Sequence, residues 1–96
     1  MTTFTSIYAL ADPITGEIRY IGKANCPQRR LASHLRDSRR RNTPVYCWIR
    51  KIGIPKLIVL IEQTTDWKAD EIRLIEEYRA AGARLLNVAI GGDEPF

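Results

Sequence analysis

Two short segments near the start of the chain, separated by a turn, constrain the fold more than any other feature of the sequence. Residues 6–11 predict a β-strand, and residues 17–22 predict a second strand because polar and apolar side chains alternate along them. The residues between these segments include Pro13 and Gly16, which both favour turns. The chain therefore begins with a predicted β-hairpin.

Two helices are predicted after the hairpin. Pro27 suits the first turn of a helix and Asn25 is a candidate cap just before it, so residues 28–41 predict a strongly basic helix. The Asn-Thr-Pro triplet that follows interrupts this helix, and residues 45–52 predict a second, shorter one. Gly53 suits the left-handed conformation that often ends a helix.

A third strand and a third helix follow. Residues 55–62 contain a β-branched apolar run, which predicts a strand at the centre of the sheet. Asp66 is a candidate N-cap for a helix over residues 67–81, and Gly82 suits its end.

The chain length of 96 residues fits one small domain, which we expect to span residues 1–96. Its last part, residues 83–96, predicts mostly irregular structure with a turn at Gly91-Gly92. The hydrophobic share of 45% and the charged share of 27% are typical of a globular protein.

Composition also bears on location. No apolar run approaches the roughly 20 residues needed to cross a bilayer, and the first residues lack the features of a secretory signal. We therefore expect a cytoplasmic protein without a membrane partner. In such a compartment, Cys26 and Cys47 are expected to be free thiols.

Charge is unevenly distributed along the chain. Residues 23–51 contain nine Lys and Arg against one acid, and residues 62–79 contain six acids against three bases. The first block is suited to neutralising phosphates, and the second to holding a cation near them. The alternative is that both are solvated helix faces.

The last predicted helix carries one carboxylate in an unusual position. With successive residues about 100° apart around the axis, Glu71 falls at the centre of an apolar stripe formed by Trp67, Leu74, Ile75, Tyr78 and Ala81. Burying a carboxylate is costly unless it is paired or binds a cation. Two interpretations follow: a buried salt bridge to an arginine of the basic helix, or a ligand for a hard cation such as Mg²⁺.

The basic helix carries Arg30 and His34 four residues apart, on one flank of a buried face marked by Leu31 and Leu35. We expect Arg30 to lie at the border between core and cleft, where its guanidinium would grip a phosphate. A surface ion pair and a partly buried histidine are the alternatives. The opposite, solvent side of the helix is expected to carry Arg29, Arg36 and Arg40.

The order and spacing of these residues resemble the signature of the GIY-YIG nuclease family. Ile7-Tyr8 is followed, after eleven residues, by Tyr20-Ile21-Gly22-Lys23-Ala24, and then by Arg30 and His34. The family pairs a Gly-Ile-Tyr strand with a Tyr-Ile/Val-Gly strand, and it places an arginine on the following helix with His or Tyr one turn later. Ser6 departs from this pattern because it stands where the family has glycine.

Later segments of the chain resemble the family as well. These are Trp48-Ile49-Arg50-Lys51, Glu71 before Leu74-Ile75, Leu86-Asn87, and Gly91-Gly92. The similarity covers about residues 6–92, and it is to the small stand-alone members found in phages and mobile elements.

This resemblance implies an α/β (α+β) fold, in which a small, mainly antiparallel three-stranded sheet is flanked by about three helices. The implied activity is hydrolysis of DNA phosphodiester bonds to 5′-phosphate and 3′-hydroxyl ends, with Mg²⁺ or Mn²⁺ as cofactor. In this scheme Glu71 would hold the cation, and Arg30 would stabilise negative charge in the transition state.

The resemblance also implies supporting roles on the two strands and near the C-terminus. Tyr8 would act as the general base for water, with help from Lys23 or His34. Tyr20 would orient water or phosphate, and Asn87 would support the geometry of the site by hydrogen bonds.

DNA is the expected partner, held through its phosphates and with little base specificity. The expected contacts are Arg29, Arg36, Arg39, Arg40, Arg41, Arg50 and Lys51. We see no dedicated base-reading element beyond Asn87, so a homodimer or a targeting protein would supply selectivity. The alternatives are a catalytically weak nucleic-acid-binding module and a nuclease subunit that needs a targeting partner.

Overall fold

A computed structural model describes residues 4–87, and this part of the chain forms a three-stranded antiparallel sheet with three helices. The strands are β1 (Thr5–Ala11), β2 (Ile18–Ala24) and β3 (Lys56–Thr64), and the helices are α1 (Pro27–Asp37), α2 (Pro44–Ile52) and α3 (Trp67–Ala80). The predicted α+β fold is confirmed. The turn expected at Gly91-Gly92 lies outside the described residues. Within residues 4–87, no helix has the length and apolar character needed to cross a membrane.

The strand order is β2-β1-β3, so β1 is the central strand and the expectation that the third strand is central is wrong. From Ile7 to Ala11 every residue of β1 is fully buried, whereas Val59 of β3 is 41% exposed. A run of apolar residues indicates that the faces of a strand are covered by other elements. It does not indicate whether the strand has a neighbouring strand on one edge or on both, so the sequence alone did not show that β3 is an edge strand.

Each face of the sheet has its own apolar cluster, because successive side chains of a strand point to opposite faces. On one face, Tyr8, Leu10 and Tyr20 pack with α2 and with Leu31 and Leu35 of α1. We call this the α1/α2 face. On the other, the α3 face, Ile7, Ala9 and Ile21 pack with Ile75 of α3. The sheet therefore separates α3 from the two earlier helices.

Helix α1 begins and ends differently from the expectation. Its N-cap is Cys26 and not Asn25, whose Oδ1 instead accepts a hydrogen bond from Thr5 Oγ1 at 3.1 Å. It ends at Asp37 and not near Arg41, since the Ser38 hydroxyl donates to the carbonyl of Leu35 and competes with continuation of the helix. The arginines expected at its C-terminal end therefore lie on a turn.

The boundaries of the other helices match the sequence more closely. Gly53 ends α2 with φ of 86°, a conformation that favours glycine. Asp66 caps α3, because its side chain accepts a hydrogen bond from the backbone N–H of Ala69 at 3.2 Å. Ala81, expected on the apolar stripe of α3, is instead exposed just beyond the helix.

Candidate active site

Tyr8 lies at the centre of the sheet and is fully buried. It pairs with Gly22 on β2, and the absence of a side chain there makes room for its ring. A Cβ built at Gly22 would lie 2.8 Å from Tyr8 Oη and 2.9 Å from Cε2 of Tyr20, which is closer than such atoms approach. The glycine of the second motif is therefore required by the packing of the two tyrosines.

His34 contacts Tyr8 from the adjacent helix. Its Nε2 lies 2.6 Å from Tyr8 Oη, within hydrogen-bond distance, and the imidazole is 1% exposed. The rings of Tyr20 and Tyr46 surround it, with ring centroids 5.4 and 5.8 Å away. Burial, followed by the positive charge of Arg30, lowers the pKa of His34 to about 4, so the ring is neutral near pH 7.

The second ring nitrogen of His34 bears on its tautomer. Nδ1 is buried and has no hydrogen-bond partner among the described residues. With the proton on Nδ1, Nε2 accepts a hydrogen bond from the Tyr8 hydroxyl; with the proton on Nε2, this nitrogen donates to the Tyr8 oxygen.

Arg30 lies one helical turn before His34 and is only partly buried. Burial by itself would lower the pKa of Arg30, but the hydrogen bond to Tyr8 and the nearby Tyr20 and Tyr46 outweigh it and raise the pKa overall. Because a guanidinium has donors and no acceptors, it donates to the Tyr8 oxygen. Tyr8 thus binds the Arg30 guanidinium on the side that faces the core.

The outward side of Arg30 lines an open cavity of about 420 Å³. Three cationic side chains face it, those of Lys23, Arg29 and Arg30, so the cavity is suited to a phosphate. Arg29, expected on the solvent side of α1, is exposed and also lines this cavity beside Arg30. The other lining residues are Thr5, Ala24, Asn25, Cys26 and Ser33.

Lys23 connects the cavity to α3. Its Nζ lies 4.3 Å from the centre of the Trp67 ring, a cation–π contact, while the same side chain lines the cavity. Trp67 is the first residue of α3, and Glu71 follows it one turn later on the same face of that helix. No residue of α3 is among the described residues that line the cavity, so Glu71 is connected to it only through the helix that carries Trp67.

Glu71 is 4% exposed and belongs to the buried face of α3, as the helical periodicity predicted. Among residues 4–87, no cluster of three or more His, Cys, Asp or Glu side chains could hold a metal ion. A single carboxylate still fits Mg²⁺, which commonly takes one or two protein carboxylates and fills its other positions with water and substrate phosphate. The donor chemistry of Glu71 therefore fits the implied cation.

Asn87 closes the outer edge of β2. Its side-chain Oδ1 accepts from the backbone N–H of Ile21 at 3.1 Å, and its Nδ2 donates to the Ile21 carbonyl at 2.7 Å. The Asn87 amide thus makes the two backbone hydrogen bonds with Ile21 that a neighbouring strand would otherwise make. This geometry agrees with the supporting role that the sequence resemblance implies.

The other candidate DNA contacts lie on α1, on the turn after it, and on α2. Arg36 is exposed on α1, and Lys51 is exposed on α2. Arg39, Arg40 and Arg41 lie on the turn, where Arg40 also pairs with Asp37 at 3.3 Å. Arg50 differs because its guanidinium is hydrogen-bonded to the backbone of that turn.

One part of the site was not found by sequence reasoning. Tyr46, 6% exposed on α2, borders His34, and a single tyrosine in a short apolar helix carries no signal of that contact. Ser6, which replaces the family's glycine, is buried, and its hydroxyl donates to the Glu62 carbonyl on β3. A register shift between Thr5 and Ile7 accompanies it, so the sheet accommodates the extra side chain.

The two cysteines are free thiols, as expected.

A comparison with protein-family models matches residues 4–85 to the GIY-YIG catalytic domain, which is most of the chain. No curated protein and no solved structure matches the chain.

Proposed function

Because this chain belongs to the GIY-YIG catalytic domain family, a family of nucleases, we propose that it is a metal-dependent DNA endonuclease. The proposed reaction is hydrolysis of phosphodiester bonds to 5′-phosphate and 3′-hydroxyl ends, with low intrinsic sequence specificity. One observation carries the proposal: Arg30 is held by buried Tyr8 on one side and faces a cationic cavity on the other. A scissile phosphate in that cavity would meet a preorganised guanidinium.

Arg30 is proposed to bind a non-bridging oxygen of the phosphate and to stabilise the negative charge that builds up during attack. Such stabilisation is strongest when the donor is fixed before the reaction begins. The hydrogen bond to Tyr8 and the packing of α1 on the sheet supply that fixation.

Tyr8 is proposed as the general base. Its oxygen accepts a hydrogen bond from Arg30 and lies 2.6 Å from Nε2 of neutral His34. Arg30 stabilises negative charge on this oxygen, and so does His34 when Nε2 carries the proton. Since Tyr8 is fully buried, water reaches this oxygen only if the residues around it separate when DNA binds. The roles of Tyr20 in orientation, Lys23 in assisting the base and Asn87 in supporting β2 complete the proposed site.

Glu71 is proposed to hold the divalent cation, Mg²⁺ or Mn²⁺, near the phosphate. Such a cation supplies Lewis-acid stabilisation of phosphate charge and a template for the attacking water. Burial of the Glu71 carboxylate keeps it oriented on α3, and the Lys23–Trp67 contact ties that helix to the cavity.

A second candidate function is favoured by the same burial of Tyr8. If the residues around Tyr8 do not separate when DNA binds, its oxygen does not reach water in the cavity, and the chain binds nucleic acid without cutting it efficiently. Such a protein would be a binding module, or a subunit that cuts only with a targeting partner.

Incubation of the purified protein with supercoiled plasmid and Mg²⁺ separates these functions. Nicking that disappears with chelator supports the endonuclease, and 5′-end labelling that requires prior phosphatase treatment supports the proposed ends. Retarded plasmid without nicks, at protein concentrations that saturate binding, would favour the binding module instead. Single-stranded DNA and duplex RNA tested in parallel show whether duplex DNA is the preferred substrate.

A further inference from the structure

The side chain of Arg50, in the last turn of α2, reaches back to the segment that joins α1 to α2. Its Nη1 donates to the carbonyls of Ser38 and Arg41, the latter at 2.7 Å. Its Nη2 donates to Asn42 Oδ1 at 2.9 Å. Residues 38–42, which we call the arginine turn, are therefore bound at both ends by one guanidinium.

The Arg50 guanidinium adds a positive charge beside a run of three arginines. Arg39, Arg40 and Arg41 follow one another on the arginine turn, so a fourth cation beside them is unfavourable unless other groups compensate. The compensation comes from carbonyl oxygens just beyond the C-terminus of α1, where the helix dipole favours positive charge. The planar guanidinium reaches several acceptors at once, which a lysine ammonium in the same place does not.

The geometry leaves the arginine side chains of the turn facing solvent while the turn itself is fixed. Arg39, Arg40 and Arg41 are exposed, and Ser38 is 5% exposed and bonded to α1. From Arg30 to Ser38 the chain advances eight residues, roughly 12 Å at about 1.5 Å per residue of helix. The arginine turn and the cavity are therefore far enough apart along α1 to reach different phosphates of one duplex.

We propose that Arg50 is a positioning residue and not a phosphate contact, and that it holds the arginine turn as a second DNA-backbone binding surface at the opposite end of α1 from the cavity. The DNA part of this inference rests on the proposed function. The part that concerns Arg50 and the turn does not, because it is a property of the protein without DNA.

The salt dependence of DNA affinity distinguishes positioning from contact. Each phosphate contact that is lost lowers the slope of log affinity against log salt by about 0.9. We expect Arg39→Gln to lower the slope by about one contact. We expect Arg50→Gln, which removes the charge as Arg39→Gln does, to leave the slope unchanged and to weaken binding at every salt concentration by roughly threefold to tenfold, because fewer molecules have the turn in its binding conformation.

Amide hydrogen exchange without DNA tests the turn directly. The N–H groups of Ser38, Arg40 and Arg41 are hydrogen-bonded to the backbone of α1, so their protection is measurable. Exchange at these amides should be faster in Arg50→Lys and unchanged in Arg39→Gln. Asn42→Ala, which removes one acceptor and keeps the Arg50 charge, should show a smaller effect of the same kind and serves if Arg50→Lys does not fold.

The results distinguish the role of Arg50 in holding the arginine turn from the role of the turn in binding DNA. A slope reduced by one contact in Arg50→Gln overturns the positioning role, as do unchanged exchange rates in Arg50→Lys. Faster exchange with unchanged affinity shows that Arg50 holds the turn but overturns the turn as a DNA surface. If the wild-type protein does not bind DNA, the proposed function and the DNA surface fail together, while the exchange rates still decide the role of Arg50.

Discussion

The hydroxyl oxygen of Tyr8 lies 2.6 Å from Nε2 of His34, and both residues are closed off from solvent in the core. This contact joins the central strand to the helix that carries Arg30. The titratable imidazole of His34 is therefore buried in the core, and its protonation is linked to the free energy of unfolding.

The first prediction concerns stability in acid. Burial lowers the pKa of His34 to about 4 from 6.5, so the unfolded chain binds this proton more readily than the folded protein does. The stabilisation is complete above about pH 6.5 and is lost as the pH falls toward 4. It amounts to about 3 kcal/mol at about 1.36 kcal/mol per pKa unit.

The measurement is urea denaturation from pH 4 to pH 7 for wild type and for His34→Gln. The variant has no imidazole to titrate, so its curve should be flatter by the His34 contribution, while carboxylate effects cancel in the difference. Parallel curves for the two proteins would show that His34 is not held neutral in the fold.

The second prediction concerns Gly22, whose Cβ would lie 2.8 Å from Tyr8 Oη. Gly22→Ala should cost about 1–3 kcal/mol of stability, the usual range for an overpacked core, and should lower cleavage because Tyr8 is displaced. The double variant Gly22→Ala/Tyr8→Phe removes the closest clashing atom, so it should regain part of the lost stability. Strictly additive destabilisation in urea denaturation would contradict this coupling.

The third prediction concerns Arg30. Arg30→Ala should reduce plasmid nicking by ~10²–10³, the typical loss for one electrostatic contact in a transition state. The circular dichroism spectrum should not change, because packing of α1 is carried by Leu31, His34 and Leu35. Arg73→Ala, an exposed arginine on α3, is the matched control and should cut like wild type. Nicking by Arg30→Ala within a few-fold of wild type would remove Arg30 from the reaction.

The fourth prediction concerns Glu71, which is 4% exposed. Glu71→Gln keeps the size of the side chain and removes its charge, so Mn²⁺ affinity and nicking should fall together. Glu76→Gln, exposed on the same helix, is the control. Unchanged Mn²⁺ affinity in calorimetry of Glu71→Gln would place the metal elsewhere.

The sequence predicted what depends on local periodicity. Glu71 was found by the 100° rotation per residue of a helix, and Asp66 by the preference for acidic N-caps, because both signals arise within one element. The association of Tyr8 with Arg30 and His34 came only from the family resemblance. Those residues lie on different elements, and no local pattern states which strand face a helix will cover.

Other features depend on tertiary contacts that no local sequence pattern predicts. Arg50 was interpreted as a DNA contact because it lies in a basic block, yet two of its four hydrogen-bond acceptors are backbone carbonyls, which every residue has. His34 was placed on a flank of α1, but the aromatic side chains of Tyr8, Tyr20 and Tyr46 enclose it. Burial of this kind is decided by how α1 and α2 pack together on the sheet.

The last prediction is that these 96 residues bind DNA weakly and with little base specificity. Reading bases requires side chains placed in a groove by a helix or ribbon. In the described part of the chain, the candidate contacts are instead a cationic cavity and an arginine turn, whose guanidinium and ammonium groups suit phosphates. Affinity should therefore lie around ~10⁻⁴–10⁻⁶ M at physiological salt and fall steeply as salt rises. Selection of cleaved sites from a random-sequence duplex library at moderate salt measures specificity directly. A consensus of many base pairs produced by this protein alone would reveal a base-reading element, whereas cleavage spread over the library is the expected result.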